Sequence, residues 1–132
     1  MRFLLDTDIV LDLARHPRGK IFDRISEVGE EDVCTSIVVA AELRYGATKK
    51  KSSRLTSQLE AVLGAIEVLA LEAPVDAIYG LIRAGLEQIG QPIGANDLLI
   101  AAHALALDLT VVTDNEREFL RIEDLRVENW LR

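Results

Sequence analysis

Short apolar runs alternate with helical patterns along almost the whole chain, and this alternation most constrains the fold. Phe3-Leu4-Leu5, Val33-Cys34-Thr35 and Leu109-Thr110-Val111-Val112-Thr113 are each brief and apolar or β-branched. Runs of this kind suit strands buried on both faces. Read in order, the chain offers strand 2–6, helix 8–15 stopped by Pro17 and Gly19, helix 20–28, strand 32–36, helix 37–49, helix 52–63 and strand 66–71. A helix opened by Pro74 then runs to Ile89. A loop punctuated by Gly90, Pro92 and Gly94 leads to helix 97–108, strand 109–113 and a short last strand that includes Val127. Ile37, Val38, Ala41 and Tyr45 share helical spacing, as do Leu55, Leu59, Val62 and Leu63. Strands separated by helices predict an α/β fold, with a parallel central sheet flanked by helices on both faces. At 132 residues, with no internal repeat and no linker, one domain over 1–132 is expected.

Four acidic positions stand in or near these transitions: Asp6 after the first strand, Glu42 in the helix after the second, Asp97 at the head of the apolar helix, and Asp114 after Val111-Val112-Thr113. The carboxyl ends of parallel strands share one edge, so acids scattered in sequence can gather there. Gathered carboxylates are costly unless a cation sits among them. Oxygen donors point to Mg²⁺ or Mn²⁺. Each acid also has a plain structural use. Asp6 and Asp97 are good helix N-caps, with Asn96 an alternative cap, and Asp114-Asn115 reads as a turn pair. Glu42 has Val38, Val39, Tyr45 and Gly46 as helical neighbours, so it either meets a partner in an apolar setting or reaches to water from an edge. The small Gly94-Ala95-Asn96 approach would let a substrate backbone come close.

Composition removes other classes. The net charge of −7 argues against a general nucleic-acid coat protein, while a metal-screened nuclease or a partner with a basic segment stays compatible. A basic run, Arg44, Lys49, Lys50, Lys51 and Arg54, begins two residues after Glu42. It suits either a phosphate backbone near the site or a solvated helix end favoured by the dipole. His16 and His103 have no partner at zinc spacing, and His103 reads as a packed or surface-edge helix residue. No phosphate-binding glycine loop and no serine nucleophile elbow is present. The one cysteine, Cys34, excludes an internal disulfide framework and fits a buried small residue in a reducing, cytosolic compartment. No apolar stretch approaches the ~20 residues of a membrane span, and Arg2-Phe3-Leu4-Leu5 runs straight into Asp6 without a cleavable signal pattern.

Three segments together resemble the PIN-domain ribonucleases, and within them the VapC toxins of type II toxin–antitoxin pairs. They are LLDTDIVLDL near the start, TSIVVAAELRYG in the middle, and IGANDLLIAAHALALDLTVVTDNEREFLRIEDLRVENW to the end, the most specific of the three. The resemblance covers essentially the whole chain. It implies metal-site acids at Asp6, Glu42 and Asp97, and small hydroxyl residues near the site at Thr7, Ser36 and Thr113. The family commonly has Asn at the third position of the first motif, where this chain has Asp8. A fourth acid of many PIN domains aligns with Asn115, beside Asp114, and either residue serves through water. The implied chemistry is Mg²⁺-dependent hydrolysis of RNA phosphodiester bonds, with Mn²⁺ as a substitute and Arg44 near the substrate. The implied partners are a second copy of the chain and a cognate VapB-like antitoxin. The antitoxin would lay a segment along the cleft and place a basic side chain among the carboxylates.

Two rival readings use the same residues. Asp6-Thr7-Asp8-Ile9-Val10 fits the first motif of haloacid-dehalogenase-like phosphatases, with Asp6 as nucleophile, Asp8 as general acid and Thr113 or Thr35 as phosphate-binding hydroxyl. The paired acid after a lysine that such enzymes need is poorly represented. A non-catalytic binding module is the third reading, against which three clustered acids speak.

Overall fold

The computed structural model describes residues 1–132. Its sheet consists of β1 (Phe3–Leu5), β2 (Val33–Ser36), β3 (Glu67–Leu69), β4 (Thr110–Val112) and β5 (Val127–Glu128), in the order β3-β2-β1-β4-β5. All four pairings are parallel. Around it lie α1 (Thr7–Arg15), α2 (Lys20–Val28), α3 (Ile37–Lys50), α4 (Ser53–Ala65), α5 (Val75–Gln88), α6 (Ala95–Ala106) and α7 (Glu116–Phe119). Every residue of β1, β2 and β4 is buried, as continuous apolar strands in a covered parallel sheet must be. Edge strand β3 exposes Glu67, the usual guard against edge pairing. The core joins these strands to Ile9, Val10 and Leu13 of α1, Val39 and Leu43 of α3, Leu59 of α4, Ile100 of α6 and Phe119 of α7. Helices α1, α3 and α4 pack on one another, and α5 packs on α6.

The strand order decides where a ligand can sit. The chain builds outward from β1 to β2 and β3, then crosses to the other side of β1 for β4 and β5. The crevice between the carboxyl ends of β1 and β4 is therefore the topological switch point, the preferred ligand site of open parallel sheets. Leu5 lies opposite Val112, and the Asp6 N–H donates to the Val112 carbonyl at 2.9 Å. The register thus brings Asp6 and Thr113 to the mouth of that crevice.

The alternation and the order of elements agree with the sequence reading; the differences are local. Strands are shorter by one to three residues at their ends. Helix α6 begins at Ala95 rather than Asp97, so Asp97 lies inside its first turn and is not a cap. Asp6 occupies the N-cap position of α1 but its side chain makes no capping bond. The four-residue α7 is additional to that reading, and the acidic stretch after Gly29 forms a 3-10 turn at Glu30–Asp32. On α4, Leu55, Leu59 and Leu63 are buried as the spacing predicts. On α3 the buried face is Val38, Val39, Ala40, Leu43 and Ala47. Ile37 and Tyr45 are 46% and 66% exposed. The apolar stripe through Ile37, Ala41 and Tyr45 therefore faces an open cleft, because the sheet takes up the adjacent face of the same helix.

Ser36 begins α3, its Oγ accepting from the Val38 N–H at 3.1 Å. His103 Nδ1 lies 2.9 Å from the same Oγ. His103 is fully buried, which holds its pKa below the ordinary value, so the ring is neutral. Cys34 is likewise buried, and burial pushes its thiol up to about 11. The C-terminus closes on the sheet through Trp130, which meets Phe3 edge to face with centroids 5.1 Å apart.

Candidate active site

At the switch point Asp6 is 4% exposed and its Oδ2 accepts from Thr113 Oγ1 at 2.7 Å. Its Oδ1 is buried with no hydrogen-bond partner. An unpaired buried carboxylate oxygen is rare and costly, and signals a missing donor or cation. Burial raises the Asp6 pKa, the Thr113 hydrogen bond opposes that shift, and the charge of Glu42 adds to it.

Glu42 stands on α3 with its Oε1 accepting from Thr7 Oγ1 at 2.8 Å. The position reads as an inward carboxylate with a hydroxyl partner rather than one snorkelling free. Asp97, on the first turn of α6, receives the Asn115 Nδ2 amide at 3.4 Å. That amide also donates to Glu118 Oε2 at 3.2 Å. Burial pushes the Asp97 carboxyl up to about 7, with Asp6 and then Glu118 adding to the effect and Glu42 contributing further. Asp8 Oδ2 accepts from the Asp114 N–H at 3.1 Å while its Oδ1 is buried and unpartnered. Burial, then the neighbouring Asp6, raise Asp8 to about 6.

Asp6, Asp8, Glu42, Asp97 and Glu118 therefore form one electrostatic neighbourhood, and none of the five is in a salt bridge. Every donor they receive is neutral: two threonine hydroxyls, one carboxamide and one backbone N–H. Uncompensated carboxylates at this density call for a cation.

Glu118 is the acid that the sequence reading missed. It lies on the four-residue α7, whose N-cap is Asn115. The spacing Asn115-x-x-Glu118 was the available signal, since Asn followed three residues later by Glu marks a helix start. Instead of capping the backbone, the two side chains bond each other.

Other expected site residues have different surroundings. Thr7 touches Glu42, as given above. Thr113 is fully buried and braces Asp6, and its Oγ1 also accepts the Asn115 N–H at 2.9 Å; it supports the acids rather than meeting a substrate. Ser36 is fully buried, with its hydroxyl committed to the α3 cap and His103. Asp114 is exposed, and its Oδ1 accepts from Asn129 Nδ2 at 2.9 Å, beside Asp8 rather than Asp97. Asn115 bridges Asp97 to Glu118, while Asp114 lies beside Asp8. Arg44 pairs with Glu60 of α4 and is turned to that helix contact.

Beside Glu42 an open apolar cleft is lined by Ile37, Ala41, Tyr45, Asn96 and Leu99. It continues along Leu99 to Leu71, Val75 and Tyr79 of the α5–α6 side.

The donor set tests for a metal. All donors are oxygens, and Asp6 Oδ1 is an orphaned buried anion. No three acidic or imidazole side chains converge tightly enough to enclose an ion between them. A hydrated ion held by one or two carboxylates, with water completing the shell, needs no such convergence. A parallel sheet with unneutralised carboxylates at its switch point defines an α/β protein with an acidic ligand site.

The PIN domain family model matches residues 3–125. The ribonuclease VapC2 of Rickettsia felis is 40% identical over 98% of both chains. The tRNA(fMet)-specific endonuclease VapC of Shigella flexneri is 35% identical over 98% of both. Among solved structures, VapBC2 of Rickettsia felis bound to a promoter DNA fragment superposes with a TM-score of 0.90 at 38% identity, covering 98% of this chain and 99% of that one. DNA-bound VapBC of Salmonella typhimurium gives 0.86 at 35% identity, covering 98% of each. The chain belongs to the PIN-domain family and, within it, to the VapC ribonucleases of VapBC toxin–antitoxin systems. Membership over the whole chain replaces the phosphatase reading of Asp6 and Asp8. Locally, Asp8 is not a free acid beside Asp6, because one of its oxygens takes a backbone N–H and the other is buried.

Proposed function

We propose that this protein is the toxin of a VapBC pair, a single PIN domain over residues 1–132 that cleaves RNA internally with Mg²⁺, for which Mn²⁺ can substitute. One observation carries the assignment of the site. Asp6, Asp8, Glu42, Asp97 and Glu118 share the switch-point neighbourhood without a single ion-pair partner, and Asp6 and Asp8 each keep a buried, unpartnered oxygen.

Asp6 and Asp97 hold the ion, with Glu42 and Glu118 supplying further negative charge or orienting its water. A divalent ion bound there lowers the pKa of a water and offsets charge on phosphoryl oxygens. The chain's own residues set that up. Thr113 fixes the Asp6 carboxylate through Oδ2, which leaves Oδ1 free to face a cation. Asn115 holds Asp97 and Glu118 side by side through one amide. Thr7 steadies Glu42 at the lip of the cleft. The raised Asp97 pKa leaves its carboxyl partly protonated near neutral pH without a cation, so metal and proton compete for it.

The initiator transfer RNA is the first substrate to try, since a relative of 35% identity is specific for it. The partners are a second copy of the chain and a cognate antitoxin in the cytoplasm. The apolar cleft along Ile37, Tyr45 and Leu99 supports a protein partner, because large exposed apolar surface next to a charged site marks an interface. A basic side chain delivered by the antitoxin would neutralise the same carboxylates that the metal does.

The test is cleavage of total cellular RNA and of purified initiator transfer RNA by antitoxin-free protein, with Mg²⁺, with EDTA, and with Asp97→Asn. Cleavage that needs both metal and Asp97 supports the reading. Cleavage that persists in EDTA, or in the variant, overturns it.

A further inference from the structure

Along the same pair of helices that meets at the acid cluster lies a surface of the opposite charge. Thr7 of α1 and Glu42 of α3 touch at the cleft. Eight residues further along each helix, Arg15 and Lys50 line one open pocket of about 290 Å³ together with Arg54, Ser52, Leu55 and Gln58. Eight residues at the helical rise place this pocket ~12 Å along the helices from the Thr7–Glu42 contact. No acidic residue lines it. Arg15, Lys50 and Arg54 are exposed, and none is in a salt bridge, although acids outnumber bases by seven in the chain.

Helix electrostatics explains part of this cluster and leaves the rest. Arg15 and Lys50 sit in the last turns of α1 and α3, where cations are favoured. Arg54 sits in the first turn of α4, where they are disfavoured. Three like charges around one cavity repel each other unless a polyanion joins them. Two guanidinium groups and an ammonium suit phosphate oxygens. The pocket has no aromatic side chain on which a base could stack, so the matching ligand is backbone rather than base.

We propose that the Arg15–Lys50–Arg54 pocket holds the phosphate backbone of the RNA strand whose scissile bond lies at the acid cluster. The proposal rests on the ribonuclease reading above. At a rise of ~3.4 Å per stacked nucleotide, the held phosphate lies about three to four nucleotides from the cleaved bond. The contact is the same in ground and transition states, so it acts on KM and leaves kcat alone.

The experiment compares the full chain with a triple variant, Arg15→Gln, Lys50→Gln and Arg54→Gln. A second triple variant, Arg15→Lys, Lys50→Arg and Arg54→Lys, keeps the charge. Cleavage of a structured RNA substrate is followed under Mg²⁺, and binding of a fluorescent single-stranded RNA to the Asp97→Asn forms is followed by anisotropy across salt concentrations. The Gln variant should raise KM about tenfold at unchanged kcat. It should reduce the slope of log affinity against log salt by about 2, for three lost phosphate contacts. The charge-keeping variant should stay within about twofold of the parent. Thermal melting equal to the parent's checks the fold. Unchanged KM and salt slope in the Gln variant, with a parent that cleaves, would sink the pocket assignment alone. A Gln variant that binds RNA normally but loses a poly-glutamate peptide bound by the parent would give the pocket to an acidic protein partner and likewise overturn it. A parent that neither binds nor cleaves RNA with metal would remove the ribonuclease reading beneath it.

Discussion

Asp97→Asn should kill catalysis and yet stabilise the metal-free protein at neutral pH. The Asp97 carboxyl is raised from 3.8 to about 7 by burial, then by Asp6 and Glu118. Taken at full value, that shift corresponds to about 4 kcal/mol of penalty for the ionised form at pH 7.5. The group is partly exposed, so solvent screening reduces the penalty to about 1–2 kcal/mol. The sign follows from proton counting. Between the unfolded pKa near 3.8 and the folded value near 7 the native state binds more protons than the unfolded chain. Stability from this group therefore falls as pH rises through that window and is highest at its acid end. Asp8, raised to about 6, and Asp6 act in the same direction. Asparagine keeps an oxygen for the Asn115 amide and removes the charge. In EDTA at pH 7.5 the variant should melt about 3–8 °C above the parent, and its melting temperature should rise less on acidification to pH 5. Mg²⁺ at ten times its dissociation constant should raise the parent by about 1.4 kcal/mol and the variant by much less. Differential scanning fluorimetry at the two pH values, with and without Mg²⁺, reads all of this. A metal-free variant that melts below the parent at pH 7.5, or that keeps the parent's full pH dependence, would refute the argument that the acid cluster is held under electrostatic stress.

Three further perturbations test the supports of the site. Thr113→Val removes the hydrogen bond to the Asp6 carboxylate and orphans the Asn115 N–H; it should cost about 1–3 kcal/mol in denaturant unfolding and lower kcat more than it raises KM. Glu118→Gln keeps a group of the same shape beside Asn115 while removing its charge, so calorimetry should show Mg²⁺ affinity reduced several-fold; an unchanged affinity would leave Glu118 without a part in the centre. Asp8→Asn brings the first motif to the residue common in the family and preserves an oxygen for the Asp114 N–H; cleavage should persist, and loss of activity as complete as in Asp97→Asn would mean that Asp8 belongs to the reacting centre.

Much of the molecule was legible in one dimension because its determinants are local or periodic. The fully apolar runs around Leu4, Cys34 and Val111 announce strands covered on both faces, and helical spacing between them forces parallel crossovers. From that alone Asp6, Glu42, Asp97 and Asp114 were candidates for one sheet edge, and only the family resemblance singled out the first three. What remained open at each acid was the capping alternative, which depends on a bond to a distant residue. Asp6 stands at the N-cap position of α1 but makes no capping bond, and its Oδ2 is bonded instead by Thr113, 107 positions away. Asp97 is not a cap because the helix starts two residues earlier, a boundary that no local pattern defines sharply.

The sequence by itself determined the class of fold, since a strand-helix alternation is a property of neighbours along the chain. Only the tertiary structure decided the rest. Glu118 joins the centre through Asn115 on a helix too short to show a period. Ser36 is held in the core beside His103, and Arg44 is turned to α4 by Glu60. The apolar stripe of α3 faces a cleft because the sheet occupies the adjacent face. In each case the outcome depends on which distant group supplies a hydrogen bond, a counter-charge or a packing surface. That choice is made when the sheet order brings remote segments together.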